Sequence, residues 1–181
     1  MHLARLMLVG ATAVLFSANN YANDEQEKSA ERKEHYDHRI NKIPADQALK
    51  GVPLDMSPEQ LPSQFKTQVR DDVKPSKGLA ILRQSGNDVE YTFAWLNVTS
   101  PVISGHFHKA PHGQVGVRAY SICGVANESP ACPTGTRNSI SGVWKNADIS
   151  AFEKGEITIA FHTEKYPAPI GELAVYIPAK R

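Results

Sequence analysis

From about Gln64 onward the chain is built of short runs in which apolar and polar residues alternate, separated by turn-forming residues. The clearest are KGLAILRQ (77–84), DVEYTFAWLNV (88–98), PVISGHFHK (101–109), GQVGVRAYSI (113–122), NSISGVW (138–144), GEITIAFHT (155–163) and IGELAVYIP (170–178). Side chains along a β-strand point alternately to two faces, so a period of two marks a half-buried strand. QSGND, between the first two runs, reads as a hairpin loop. Seven or eight strands with no sustained helical period predict an all-β sandwich or barrel, and about 115 residues is the size one such domain needs. No internal repeat is visible.

The first 62 residues have a different texture. Residues 1–22 read as an export signal: Arg5, an apolar run of 11 (LMLVGATAVLF, 6–16), then small residues offering cleavage after Ala22 or Ala18. The run is too short for a membrane span, which takes about 20 residues. A membrane anchor or a buried N-terminal helix is the alternative reading. Residues 23–39 are almost wholly polar and mixed in charge, and residues 40–62 contain four prolines. Residues 23–62 therefore read as a polar N-terminal extension, loosely docked at most, with the β-domain spanning 63–181. His35 and His38 lie in this extension three residues apart, a spacing that can share a metal on a helix face but is equally that of plain surface residues.

Removing residues 1–22 takes away one base and no acid, which leaves 19 basic and 19 acidic side chains. That balance gives no basic excess to neutralise phosphates and argues against nucleic acid as a partner. No second long apolar run follows, so the mature chain is expected to have no membrane span. Both cysteines, Cys123 and Cys132, fall in the exported part. An even number in an oxidising compartment predicts a disulfide closing CGVANESPAC, and the pair lacks the Cys-x-x-Cys spacing of a metal-binding thiolate site.

Three of the seven histidines crowd into SGHFHKAPHG (104–113). On a regular strand over 101–109, Ile103, Gly105 and Phe107 share one side; Val102, Ser104, His106 and His108 share the other. Ile103 and Phe107 are the expected core residues, which leaves the two imidazoles parallel on the opposite face. In 155–163, Ile157, Ile159 and Phe161 form the apolar side, and His162 lies on the other with Glu156, Thr158 and Ala160. His106, His108 and His162 converge if their strands are neighbours, and are unrelated surface histidines if they are not. Alternate histidines on one strand face can reach one ion, and neutral imidazole suits copper, zinc, iron and nickel. With no carboxylate cluster nearby, copper or zinc fits best, and the lack of an unpaired cysteine argues against a blue-copper thiolate site. His112 is a candidate fourth ligand. Glu164 and Glu172 could orient an imidazole, and Tyr166 and Tyr176 could wall the site. No Gly-x-Ser-x-Gly elbow points to a hydrolase.

The stretch GLAILRQSGNDVEYTFAWLNVTSPVISGHFHKAPHGQVG resembles the central part of a CHRD (chordin-type) domain. SGVW and FEKGEITIAFHTEKYPAPIGEL are similar to its second half, so the likeness runs from about Gln64 to Ile177. The departures are GELAV at the end of the pattern and Lys109 and His112 in the loop after His108. The resemblance implies a secreted or periplasmic protein with a Greek-key, immunoglobulin-like β-sandwich. At motif level the His-x-His pair and the later histidine also resemble copper/zinc superoxide dismutase. That likeness implies His106, His108 and His162 as copper ligands, His112 near a further one, and the 123–132 loop packed over the site. No Asp/His zinc cluster follows His112, and only Arg118 and Arg137 are available to guide an anion. The sequence thus supports an exported copper-binding protein, with superoxide-dismutase-like redox activity left open but not favoured; zinc is the less favoured metal. The alternative is a protein-interaction or structural module without metal; a homo-oligomer or a protein partner stays open under both.

Overall fold

The computed structural model describes residues 45–66, 68 and 73–180. The export signal at 1–22, the polar stretch 23–39 and the His35/His38 pair lie outside the described residues. Eight strands form two antiparallel sheets. β1 (Leu54–Met56), β2 (Lys77–Ser85), β3 (Asp88–Leu96) and β6 (Asn138–Trp144) make one, in the order β1-β2-β3-β6. β4 (Val102–Lys109), β5 (Val117–Cys123), β7 (Ile157–Thr163) and β8 (Leu173–Tyr176) make the other, in the order β5-β4-β7-β8. The chain crosses between sheets so that β6 returns beside β3 and β7 beside β4, the non-sequential neighbours of a Greek key. The all-β sandwich expected from alternation is the observed fold. Among the described residues α-helix is confined to short pieces, α1 (Ala45–Ala48), α2 (Ser63–Lys66) and α3 (Ile149–Glu153). No helix among the described residues is long and apolar enough to cross a membrane.

Aromatic side chains fill the space between the sheets. Val89, Tyr91, Phe93 and Trp95 of β3 are buried while Glu90 and Leu96 are exposed. Phe93 meets Phe107 of β4 and Phe161 of β7 edge-on, with centroids at 5.7 and 5.3 Å, and Trp95 lies 5.4 Å from Phe161. Such pairs add about 0.5–1.5 kcal/mol each beyond the area they bury. They also fix β4 and β7 side by side under β3. Gly105 is part of this fit: a β-carbon there would stand 2.5 Å from the Phe161 ring. Only glycine lets Phe161 lie across β4 at this point.

Two expectations are corrected. Val102, not Ile103, is the core residue at the start of β4: Val102 is 4% exposed and Ile103 39%. The cause is a β-bulge. Val102 pairs with Thr163 and Ser104 with His162, so Ile103 is an extra residue that swaps the faces before it. Downstream of the bulge the expected alternation holds. The second correction concerns residues 45–62, which are integral to the domain rather than loosely docked. Leu54–Met56 pairs with residues 78–80, and Ser57 exchanges backbone hydrogen bonds with Ala174 of β8. Ala48, Leu54, Met56 and Leu61 are all buried. These apolar residues are few and interrupted by Pro53 and Pro58, so no sustained periodicity marks them.

Candidate metal centre

β4 and β7 are adjacent and antiparallel, and that places three imidazoles on the outer face of their sheet. In successive rows Ser104 stands opposite His162, His106 opposite Ala160, and His108 opposite Thr158. His162 is therefore the diagonal neighbour of His106. Ring centroids are 5.3 Å apart for His106–His162, 5.6 Å for His106–His108 and 6.4 Å for His108–His162. One nitrogen from each ring lies within 4.8 Å of the others. Three nitrogens about 2.0–2.1 Å from one ion stand about 3.3–3.6 Å apart, so holding one would require the rings to close by roughly an ångström.

The outer face is not wet here. His106 and His162 are only 6% and 2% exposed, among the buried Thr158, Ala160 and Ala174. Part of the cover comes from the segment after β1. The Tyr176 backbone N–H donates to Gln60 Oε1 at 3.3 Å. Leu61 is buried, and a β-carbon at Gly171 would lie 3.4 Å from both Leu61 Cδ2 and His162 Nδ1.

Burial sets the electrostatics. Desolvation first, then repulsion from the other imidazoles, pushes His162 down to about 3. Desolvation, His108 and Arg118 push His106 down to about 4, against a smaller opposing effect of Glu128. Burial also lowers His108, partly offset by its hydrogen bond to Gly116. The three rings are thus neutral at physiological pH. His108 Nδ1–H donates to the Gly116 carbonyl at 3.2 Å, which leaves Nε2 as its lone pair. His106 Nε2 and both His162 nitrogens are buried with no hydrogen-bond partner. Buried polar atoms are paired in the great majority of cases. One nitrogen from each of these three neutral rings lies near the others, and an unprotonated, unpaired imidazole nitrogen has the chemistry of a cation's ligand.

His112 is not in this group. It lies exposed in the loop after β4 with its ring 4.3 Å from Tyr176. Glu164 is exposed. Glu172 is fully buried but serves hydroxyls rather than an imidazole: it accepts from Ser76 Oγ, Thr99 N and Oγ1, and Thr163 Oγ1. Its removal leaves several buried donors unpaired at about 1–3 kcal/mol each. Glu172→Ala is expected to lower the unfolding free energy by about 3 kcal/mol or more, read from the urea midpoint. A loss under about 1 kcal/mol would contradict this assignment.

The disulfide joins Cys123 and Cys132 as the sequence predicts. Its loop carries a residue that sequence reasoning missed. Glu128 accepts from Ser121 Oγ at 3.0 Å and from Arg118 at 3.1 Å. In β5, Ser121 stands opposite His106 and Arg118 opposite His108. Only the Cys-to-Cys span hinted that this loop returns to its own strand.

Compared with protein-family models, with curated proteins and with solved structures, the chain matches none. Fold and site together define a β-sandwich with a buried three-histidine group able to hold a metal ion.

Proposed function

We propose that the protein is an exported copper-binding protein of CHRD type, holding one ion through His106, His108 and His162. The observation that carries this reading is the set of buried, unpaired ring nitrogens of His106 and His162, beside a His108 whose other nitrogen is already held. An apo cluster of this kind leaves polar groups desolvated without return, and an ion returns it. Imidazole donors without thiolate or carboxylate suit copper, and zinc less well for want of a fourth protein ligand in the group. Bound copper would supply electron-transfer or Lewis-acid chemistry; the chain's own part is to present three neutral donors and to exclude water. Export rests on the N-terminal pattern and agrees with the disulfide.

The test is metal content. The full chain, equilibrated with copper and desalted, is expected to retain one ion per molecule. His106→Ala and His162→Ala are each expected to lose it. Full metal content in both variants would overturn the proposal.

A further inference from the structure

The three-histidine group contains no negative charge, so whatever ion it holds keeps its full charge inside a buried site. A divalent ion suffers from that more than a monovalent one, because the desolvation cost of an ion rises with its charge. Charged side chains beside the group therefore bear on which ion is held. β5 supplies one of each sign. Arg118 stands in register with His108, and Ser121, in register with His106, donates to Glu128. Two irregularities in the β4–β5 register create this arrangement, since Ile122 and Ala119 are extra residues on β5. The loop closed by Cys123–Cys132 delivers Glu128, and the Gly124 N–H bond to the Pro130 carbonyl holds the loop's two ends together. A cavity of about 300 Å³ is lined by Arg118, Tyr120, Ser121 and Glu128.

Resting on the metal-centre reading above, we infer that Glu128 and Arg118 form a charge selector. Glu128 favours a divalent ion in the three-histidine group, and Arg118 opposes it. Neither is asked to coordinate the metal; both act through space. Their reach to the site follows from the register: Arg118 stands opposite His108, and Glu128 is held by Arg118 and by Ser121, which stands opposite His106. Coulomb energy is linear in the ion's charge, so removing either side chain's charge changes the logarithm of affinity twice as much for a divalent as for a monovalent ion. The pair is about half-exposed, with side chains at 42% and 51%, so screening keeps the effect modest.

The experiment measures dissociation constants of the full chain for Zn(II) and for Cu(I), each by competition with a chromophoric chelator, in wild type, Glu128→Gln and Arg118→Gln. The amide of Glu128→Gln still offers an oxygen to Ser121, which protects the loop. Glu128→Gln is expected to weaken zinc roughly tenfold and cuprous ion roughly threefold. Arg118→Gln is expected to strengthen both, again with the larger factor for zinc. A purely structural role would weaken both ions equally and in both variants, and that result overturns the inference, as does no change in either. If the wild type binds neither ion, or His162→Ala leaves both affinities intact, the metal centre itself is wrong and the selector falls with it. That outcome is distinct, because it does not involve residues 118 and 128.

Discussion

His162→Leu is expected to yield a metal-free protein more stable than the wild type, and one that copper no longer stabilises. Both nitrogens of the His162 ring are buried without a partner, in a side chain only 2% exposed. An unsatisfied buried polar group costs about 1–3 kcal/mol. Leucine is close in volume and has no polar atom, and its neighbours Leu61 and Ala160 are apolar. A gain of about 1–3 kcal/mol in the urea unfolding free energy follows for the metal-free form. The wild type should instead gain about 4 kcal/mol from copper at a thousandfold excess over its dissociation constant, and the variant none of it. His106→Leu removes one unpaired nitrogen rather than two and should show a smaller gain. The interpretation fails if both variants are destabilised by more than about 1 kcal/mol, or if copper still raises the midpoint of His162→Leu.

Such an inverse relation between stability and function is what a preformed ligand set implies, and the sequence carried much of it. β7 states its faces openly: Ile157, Ile159 and Phe161 turn inward, so His162 turns outward. β6 runs over the residues its alternation marks, Asn138–Trp144, because no bulge disturbs it. The pairing of β4 with β7 was not legible, since about fifty residues and two sheet crossings separate them. It is decided by aromatic packing in three dimensions. Bulges were equally hidden. Ile103 reads as a core residue on any regular strand, and only the pairing of Val102 with Thr163 shows that it is not. The same limit hid the rows of Arg118 and Ser121 beside the histidines, which depend on two further irregularities. Burial of an outward-facing histidine depends on a segment far away in sequence. Leu61 lies among prolines and polar residues, with no period of its own, and packs near His162 only because Ser57 joins the edge of β8.

Acid should begin to destabilise the metal-free protein in a pH range where carboxylates are still silent. In the unfolded chain the imidazoles take up protons near pH 6.5. In the fold His106 waits until about 4 and His162 until about 3, and His108 is also lowered. Well inside this window the unfolded chain holds about two more protons than the folded one on these two rings. Stability therefore rises with pH across this window, is fully present above pH 6.5, and drains away as the pH falls toward the folded-state values. From pH 6.5 to 5 the slope should approach two protons per molecule, on the order of 2–3 kcal/mol per pH unit. A domain with about 5–15 kcal/mol in hand is then close to unfolding near pH 4. Asp and Glu titrate mainly below pH 5, so the upper part of the window reports histidine alone. Urea midpoints of the metal-free chain at half-unit steps measure the slope. The His106→Leu/His162→Leu double variant provides the decisive control, because it must flatten the curve between pH 6.5 and 5. A double variant as acid-sensitive as the wild type would mean that these rings are not held neutral by burial, and the description of the site as a desolvated ligand set would have to be given up.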